Sequence, residues 1–321
     1  MPGRPPLAAV AVLDDFAAAA RASADWSGLP VTVFRDHLSG EDALAERLAG
    51  FDALVLIRER TALSRRLIER LPALRLVVTT GMSNRTLDME ACAARGIPVL
   101  GTASLPTPTV EMTWALILSL ARRVPWEDAA LREGRWHTGT GRSLSGAVLG
   151  VLGLGKLGRQ VAALGRAFGM EVIAWSPNLT AEGAAEAGAR RVEKEALFRA
   201  ADVVTLHLVL GPRSRGVVGA AELAAMKPGA LLVNTARAGL VDQEALLAAL
   251  RSGHLGGAAI DVHDPEPMPP GHPLLSAPRT ILTPHLGYAT AENHRLYFEG
   301  AVEALRAWNA GVSLPRPLAT P

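Results

Sequence analysis

The sequence predicts an α/β protein made of two doubly wound parallel-sheet domains. Short apolar runs alternate with longer Ala/Leu-rich amphipathic stretches along all 321 residues, the rhythm of strand, helix, strand. About eleven such runs are visible, too many for one ordinary sheet. A turn-rich stretch, Thr102-Ala103-Ser104-Leu105-Pro106-Thr107-Pro108, separates the first group from the second.

In chain order, the first group of strands is Leu7–Leu13, Val31–Phe34, Ala53–Ile57, Leu76–Thr80 and Val99–Gly101, with helices such as Gly40–Leu48 and Ser64–Arg70 between them. Arg4 before the first apolar run loosely mimics a secretory signal. Asp14 and Asp15 close that run at once, so a first buried strand is the better reading. Past the turn-rich stretch, Val110–Arg123 is an apolar helix with a face too wide for one neighbour. The second group of strands is Val148–Leu152, Glu171–Trp175, Val203–Leu206, Leu231–Thr235, Gly257–Asp261 and Thr280–Thr283. A last helix, Thr290–Asn309, is placed to return to the first domain, and the Pro-rich tail Ser313–Pro321 reads as loose. The expected division is residues 1–101 with 291–321, and 102–290.

Composition narrows the function classes. Lys+Arg is 33 against Asp+Glu 31, a formal charge of +2 with no like-charge block, so nothing marks a nucleic-acid surface. A hydrophobic fraction of 49% with 20% charged residues is that of a globular chain. Cys92 stands alone, which excludes an internal disulfide framework and suits the reducing cytoplasm. No run of 18 apolar residues predicts a membrane span.

Chemistry starts at Gly153-Leu154-Gly155-Lys156-Leu157-Gly158, which follows one apolar run and opens the helix Arg159–Phe168. The first glycine allows a tight turn, the second lets backbone approach a pyrophosphate, and the third lets helix pack on strand. The helix start offers N–H groups and a positive dipole end to phosphates. The next strand ends at Trp175 and is followed by Ser176, Pro177 and Asn178, where an acid would select NAD through the ribose hydroxyls. Ser176 and Asn178 are compatible with a 2′-phosphate. Arg190 and Arg191 lie well downstream, so no arginine is adjacent in sequence. NADP is the expected cofactor, with NAD as the alternative.

Three further residues sit just past strand ends: Arg237, Glu266 and His285. Carboxyl ends of strands form the ligand crevice of open α/β sheets. An arginine fork can hold a carboxylate or polarise a carbonyl. A histidine can exchange a proton near neutral pH, and a glutamate can orient it.

Taken together, these segments resemble the D-isomer-specific 2-hydroxyacid dehydrogenase family. The likeness rests on Leu152–Gly158, Leu206-His207-Leu208, Met226 through Asn234, Arg237 through Asp242, Gly257 through Val262, Glu266-Pro267, and Pro284-His285 with Gly287 and Thr290. The resemblance implies a flavodoxin-like substrate domain and a Rossmann dinucleotide-binding domain. It implies Arg237, Glu266 and His285 as catalytic residues, and Asp261 on the nicotinamide carboxamide. Backbone at His207, Thr235 and Ala236 would line the cofactor, and the loop at Met82, Ser83 and Asn84 would offer N–H groups to the substrate carboxylate. It further implies a homodimer joined through Val110–Arg123 and a small 2-keto or 2-hydroxy acid substrate of the glyoxylate or hydroxypyruvate kind. Departures are Ser176 in place of an acid, Val209 in place of proline, Ala238 in place of glycine, and a loop after Gly81 without its second glycine.

Two other readings stay open: a dinucleotide-sensing protein of the corepressor kind, and formate or phosphite oxidation on the same fold. His263, Asp264, Glu266 and His272 share one Pro-rich loop, but metal binding is not the expected use. Trp136 and His137 are read as filling a domain junction, and Cys92 as buried and inert.

Overall fold

The computed structural model describes residues 4–319. The chain divides into two units, Met1–Leu105 with Ala289–Pro321, and Pro106–Tyr288.

In the first unit the elements run β1 (Val10–Val12), α1 (Ala19–Ser23), β2 (Val31–Val33), α2 (Glu41–Leu48), β3 (Ala53–Leu56), α3 (Arg65–Glu69), β4 (Leu76–Thr79), α4 (Met89–Ala94) and β5 (Val99–Gly101). The strands are all parallel in the order β2-β1-β3-β4-β5, the flavodoxin-like arrangement. β3 is apolar and β4 apolar up to its last residue, Thr79, and both are buried at every position, as central strands covered on both faces must be. The first apolar run is indeed a buried strand. Asp15, just past its end, accepts the N–H groups of Ala19 and Ala20 and so starts α1. Ser64 and Asp88 cap α3 and α4 in the same way. Cys92 is buried on α4, and burial pushes its thiol up to about 11.

The second unit runs α5 (Thr107–Ala121), α6 (Val124–Arg132), β6 (Val148–Leu152), α7 (Lys156–Ala167), β7 (Glu171–Trp175), α8 (Ala181–Glu186), β8 (Arg190–Arg191), α9 (Lys194–Ala200), β9 (Val203–Leu206), α10 (Ala220–Ala225), β10 (Leu231–Asn234), α11 (Gln243–Arg251), β11 (Gly257–Ile260) and β12 (Thr280–Leu282). Its parallel sheet is ordered β12-β11-β10-β9-β6-β7-β8. The strand order reverses between β6 and β9, the switch point of a Rossmann sheet. Leu149 and Val151 of β6 enter one core, and Val148 and Leu152 the other, the alternation of a strand packed on both faces. α12 (Ala291–Asn309), capped by Thr290, belongs to the first unit and packs on α1, β4 and β5.

Several expectations need correction. The helix expected at 110–123 starts at Thr107, because Pro108 is tolerated in a first turn. It stops at Ala121, since Arg123 takes a left-handed φ of 60° and a second helix follows. The helix after the glycine motif starts at Lys156 rather than Arg159. A twelfth strand, β8, is two arginines and carries no apolar signal. The tail is not loose as far as it is described. The Gly101 N–H donates to Arg316, the Leu318 N–H donates to Val99, and Pro317 bridges Leu100 antiparallel. The tail thus covers the free edge of β5, with Leu318 against the core; Thr320 and Pro321 lie outside the described residues. Trp136 fills nothing within its unit: it is 85% exposed. No helix among the described residues is long and apolar enough to cross a membrane.

Candidate active site

The glycine motif lies at the switch point, and its three glycines have three different surroundings. Gly153 has a φ of 108°, and a Cβ there would sit 2.6 Å from the His207 carbonyl carbon. A Cβ on Gly158 would sit 2.0 Å from the Gly153 oxygen. Both glycines are therefore required by the fold. Gly155 meets nothing within 4 Å. It is the N-cap of α7, with no side-chain cap and no acid in the first turn. The N–H groups that start at Lys156 and Leu157 have no intrahelical acceptors. An open, uncapped helix start with a lysine beside it fits a dinucleotide pyrophosphate. His207, at the end of β9, shares a hydrogen bond with Thr205 and is held neutral by burial, its pKa lowered to about 4.

Beyond β7, the Ser176 hydroxyl accepts the Leu154 N–H at 3.1 Å, fastening the ribose-side loop to the glycine motif. Pro177 and Asn178 are exposed. The fold changes the reading of the downstream arginines. β8 pairs with β7, Ala174 opposite Arg191, and the Arg191 Nε donates to the Leu179 carbonyl at 2.9 Å. An arginine distant in sequence thus lies against the loop that follows Asn178. Its other end pairs with Glu193 at 2.9 Å.

Arg237, Glu266 and His285 follow β10, β11 and β12, three adjacent strands. The structure joins two of them directly: His285 Nδ1 lies 2.7 Å from Glu266 Oε2. Burial pushes the Glu266 carboxyl up, but the His285 hydrogen bond and charge, with the His263 N–H, outweigh it and hold the group below its usual range. An ionised Glu266 only accepts, so His285 Nδ1 is the donor and Nε2 is left for another partner. A depressed acid adds stability that is present above its unfolded pKa and lost as pH falls through its folded one. The stability gap between wild type and Glu266→Gln should therefore begin to shrink only as pH falls below the ordinary glutamate value of about 4.3, as read by chemical denaturation at stepped pH. A gap that held constant to pH 3 would remove this assignment.

Arg237 stands on the neighbouring loop, where its carbonyl accepts from Asn234 and its guanidinium donates to the Ala236 carbonyl at 2.7 Å. The Thr235 hydroxyl is turned to Thr113 of α5, which leaves only its backbone toward the crevice. Asp261 has no exposed surface. It accepts from the Thr283 hydroxyl and from the Leu286 and Gly287 N–H groups, so it shapes the loop that carries His285 and leaves one of about four acceptor positions open. Burial raises its carboxyl against those donors.

In the first unit, Met82 and Ser83 are exposed, and among the described residues their N–H groups have no internal acceptor. The Asn84 side chain is committed elsewhere, bonding the Arg58 carbonyl, Thr79 and Thr86. It braces the loop, while the Asn84 backbone N–H, like those of Met82 and Ser83, has no internal acceptor among the described residues.

Two residues gain weight from the structure. His263, set aside with the Pro-rich loop, bridges that loop to Thr283. Arg191 was out of reach of sequence spacing because β8 is only two residues long. No group of three metal-binding side chains gathers among the described residues.

The family model "D-isomer specific 2-hydroxyacid dehydrogenase, NAD binding domain" matches residues 114–287. The chain is 39% identical over 255 residues to a glyoxylate reductase of Aeropyrum pernix, covering 76% of each. It is 37% identical over 256 residues to a D-3-phosphoglycerate dehydrogenase of Methanocaldococcus jannaschii, covering 78% of this chain and 48% of that one; the match spans about half of that relative's length. The crystal structure of a phosphoglycerate oxidoreductase from Vibrio cholerae superposes with a TM-score of 0.89 at 38% identity, covering 94% of this chain and 99% of the other. With its flavodoxin-like and Rossmann sheets and its strand-end residues, the chain belongs to the D-isomer-specific 2-hydroxyacid dehydrogenase family.

Proposed function

We propose that the chain is an NAD(P)-dependent oxidoreductase acting on C2 of a small 2-keto or 2-hydroxy acid, with glyoxylate- or hydroxypyruvate-like substrates. The observation that carries this is the 2.7 Å Glu266–His285 pair, placed on the same sheet edge as the open glycine motif. A bound dinucleotide supplies the hydride. His285 Nε2 gives a proton to the substrate oxygen during reduction, and Glu266 holds the imidazole and offsets its charge. Arg237 binds the substrate carboxylate or polarises its carbonyl. Asp261 is assigned to the nicotinamide carboxamide, which requires the loop at Leu286 and Gly287 that now encloses its carboxylate to give way. The Met82, Ser83 and Asn84 backbone N–H groups are assigned to an anionic group of the substrate.

NADP is the preferred cofactor in this reading. The loop after β7 has no acid to repel a 2′-phosphate, and Arg191 leans on it. A phosphate there would take the place of Glu193 on the guanidinium. The chain is read as a cytoplasmic homodimer. Val124 and Leu131 of α6, Trp136 after it, and Leu164 and Phe168 of α7 are exposed apolar side chains for a second copy to cover.

Initial rates with NADPH and NADH, each with glyoxylate and hydroxypyruvate, test the activity. Arg191→Ala should weaken NADPH about tenfold and leave NADH unchanged. Equal weakening of both would return Arg191 to a structural role. Rates with NADH alone would keep the chemistry and overturn NADP.

A further inference from the structure

One half-buried histidine beside the proposed pair has no part in that chemistry, yet it touches both loops that carry it. The His263 N–H donates to Glu266 Oε1 at 2.8 Å. Across the sheet edge, His263 Nε2 lies 2.8 Å from the Thr283 carbonyl oxygen, two residues before His285. A carbonyl only accepts, so Nε2 carries the hydrogen. The other ring nitrogen, Nδ1, is buried and has no hydrogen-bond partner among the described residues.

An orphaned buried nitrogen is a cost that a flat apolar ring would avoid. A phenyl ring would, however, leave the Thr283 carbonyl unheld. The ring is thus suited to fastening two loops rather than to filling space. Asp261 also joins the two loops, accepting from the Thr283 hydroxyl and the Leu286 and Gly287 N–H groups, but at the foot of the loop after β11, ahead of Glu266; the His263 ring adds a tie nearer the pair. Glu266 hangs from the one after β11, and His285, with its left-handed φ of 56°, from the one after β12.

We propose that His263 is a positioning residue for the proton-transfer pair: it ties the loop after β11 to the Thr283 carbonyl and so sets the Glu266–His285 distance. The proposal rests on the dehydrogenase reading for its consequence, but not for its geometry. Small misplacements of a reacting group cost rate steeply.

The test uses the full chain with NADPH or NADH, and two variants. His263→Phe keeps a flat aromatic ring, somewhat larger than imidazole, and removes the tie. His263→Gln keeps a donor that reaches the Thr283 carbonyl. His263→Phe should lower kcat about tenfold with KM within about twofold, and should move the limb of the kcat–pH profile that reports the pair. His263→Gln should recover kcat to within about threefold. Melting temperatures separate positioning from general damage: the orphaned nitrogen removed and the Thr283 carbonyl freed act in opposite directions, so His263→Phe should melt within a few degrees of wild type. Wild-type kcat and pH profile in His263→Phe would overturn the proposal, as would a His263→Gln chain as slow as His263→Phe at equal stability.

Histidine NMR of the dinucleotide-free chain gives a second readout that needs no turnover. His263 should be the Nε2–H tautomer, and the downfield Nδ1–H signal of His285 should shift in His263→Phe. The Nδ1–H tautomer, or an unmoved His285 signal, would overturn the proposal. A wild-type chain that turns over no 2-keto acid, with those signals as expected, would instead remove the functional reading.

Discussion

A His285→Asn chain should bind dinucleotide as the wild type does and lose about two to four powers of ten in kcat. Asparagine is the apt replacement because residue 285 sits at a φ of 56°. Asparagine tolerates that left-handed conformation better than alanine, so the loss reports chemistry rather than backbone strain. Glu266→Gln should cost less, about two powers of ten, because an amide oxygen can still accept from the imidazole but brings no charge. It also presents an NH2 to one of the two donors that now share the carboxylate, His263 N–H and His285 Nδ1–H. If His285→Asn turned over within about threefold of wild type, proton transfer would have to come from elsewhere and the assigned role would be wrong.

The second large effect separates the glycines of one motif. Gly158→Ala should destabilise the second unit by more than about 3 kcal/mol, because its Cβ would lie 2.0 Å from a backbone oxygen that has nowhere to go. Gly155→Ala should leave the melting temperature within about 2 °C, since its Cβ meets nothing and its φ is −82°. Yet Gly155→Ala should weaken dinucleotide binding at least tenfold, about the worth of one charged hydrogen bond kept at a distance. Calorimetry and direct binding of NADPH read the two losses independently. Equal dinucleotide affinity in Gly155→Ala and wild type would show that the pyrophosphate does not rest on this backbone.

What was legible in the sequence follows from which signals are local. The central strands are buried throughout and almost wholly apolar because both faces are covered, so they stand out as runs. The glycine motif and the three strand-end residues are legible because each follows such a run. β8 is not, since two exposed arginines owe their pairing to β7 rather than to any pattern of their own. Arg191 was hidden with it. The docking of residues 316–318 on β5 is a contact across some two hundred positions, with no periodicity to announce it. His263 was a histidine in a proline-rich loop until the Thr283 carbonyl appeared beside its ring.

The division of the chain has a consequence for the order in which the protein is made. Every strand of the second unit comes from one unbroken stretch, Pro106–Tyr288, so that sheet can close as soon as its own residues have emerged. The first unit has no such freedom. Its five strands leave the ribosome first, but the helix that covers β4 and β5 and the segment that seals the edge of β5 are translated after all of the second unit. Until then the edge of β5 and the apolar face awaiting α12 stand open to chaperones or to a neighbouring nascent chain. The sheet that is begun first is the one that is finished last.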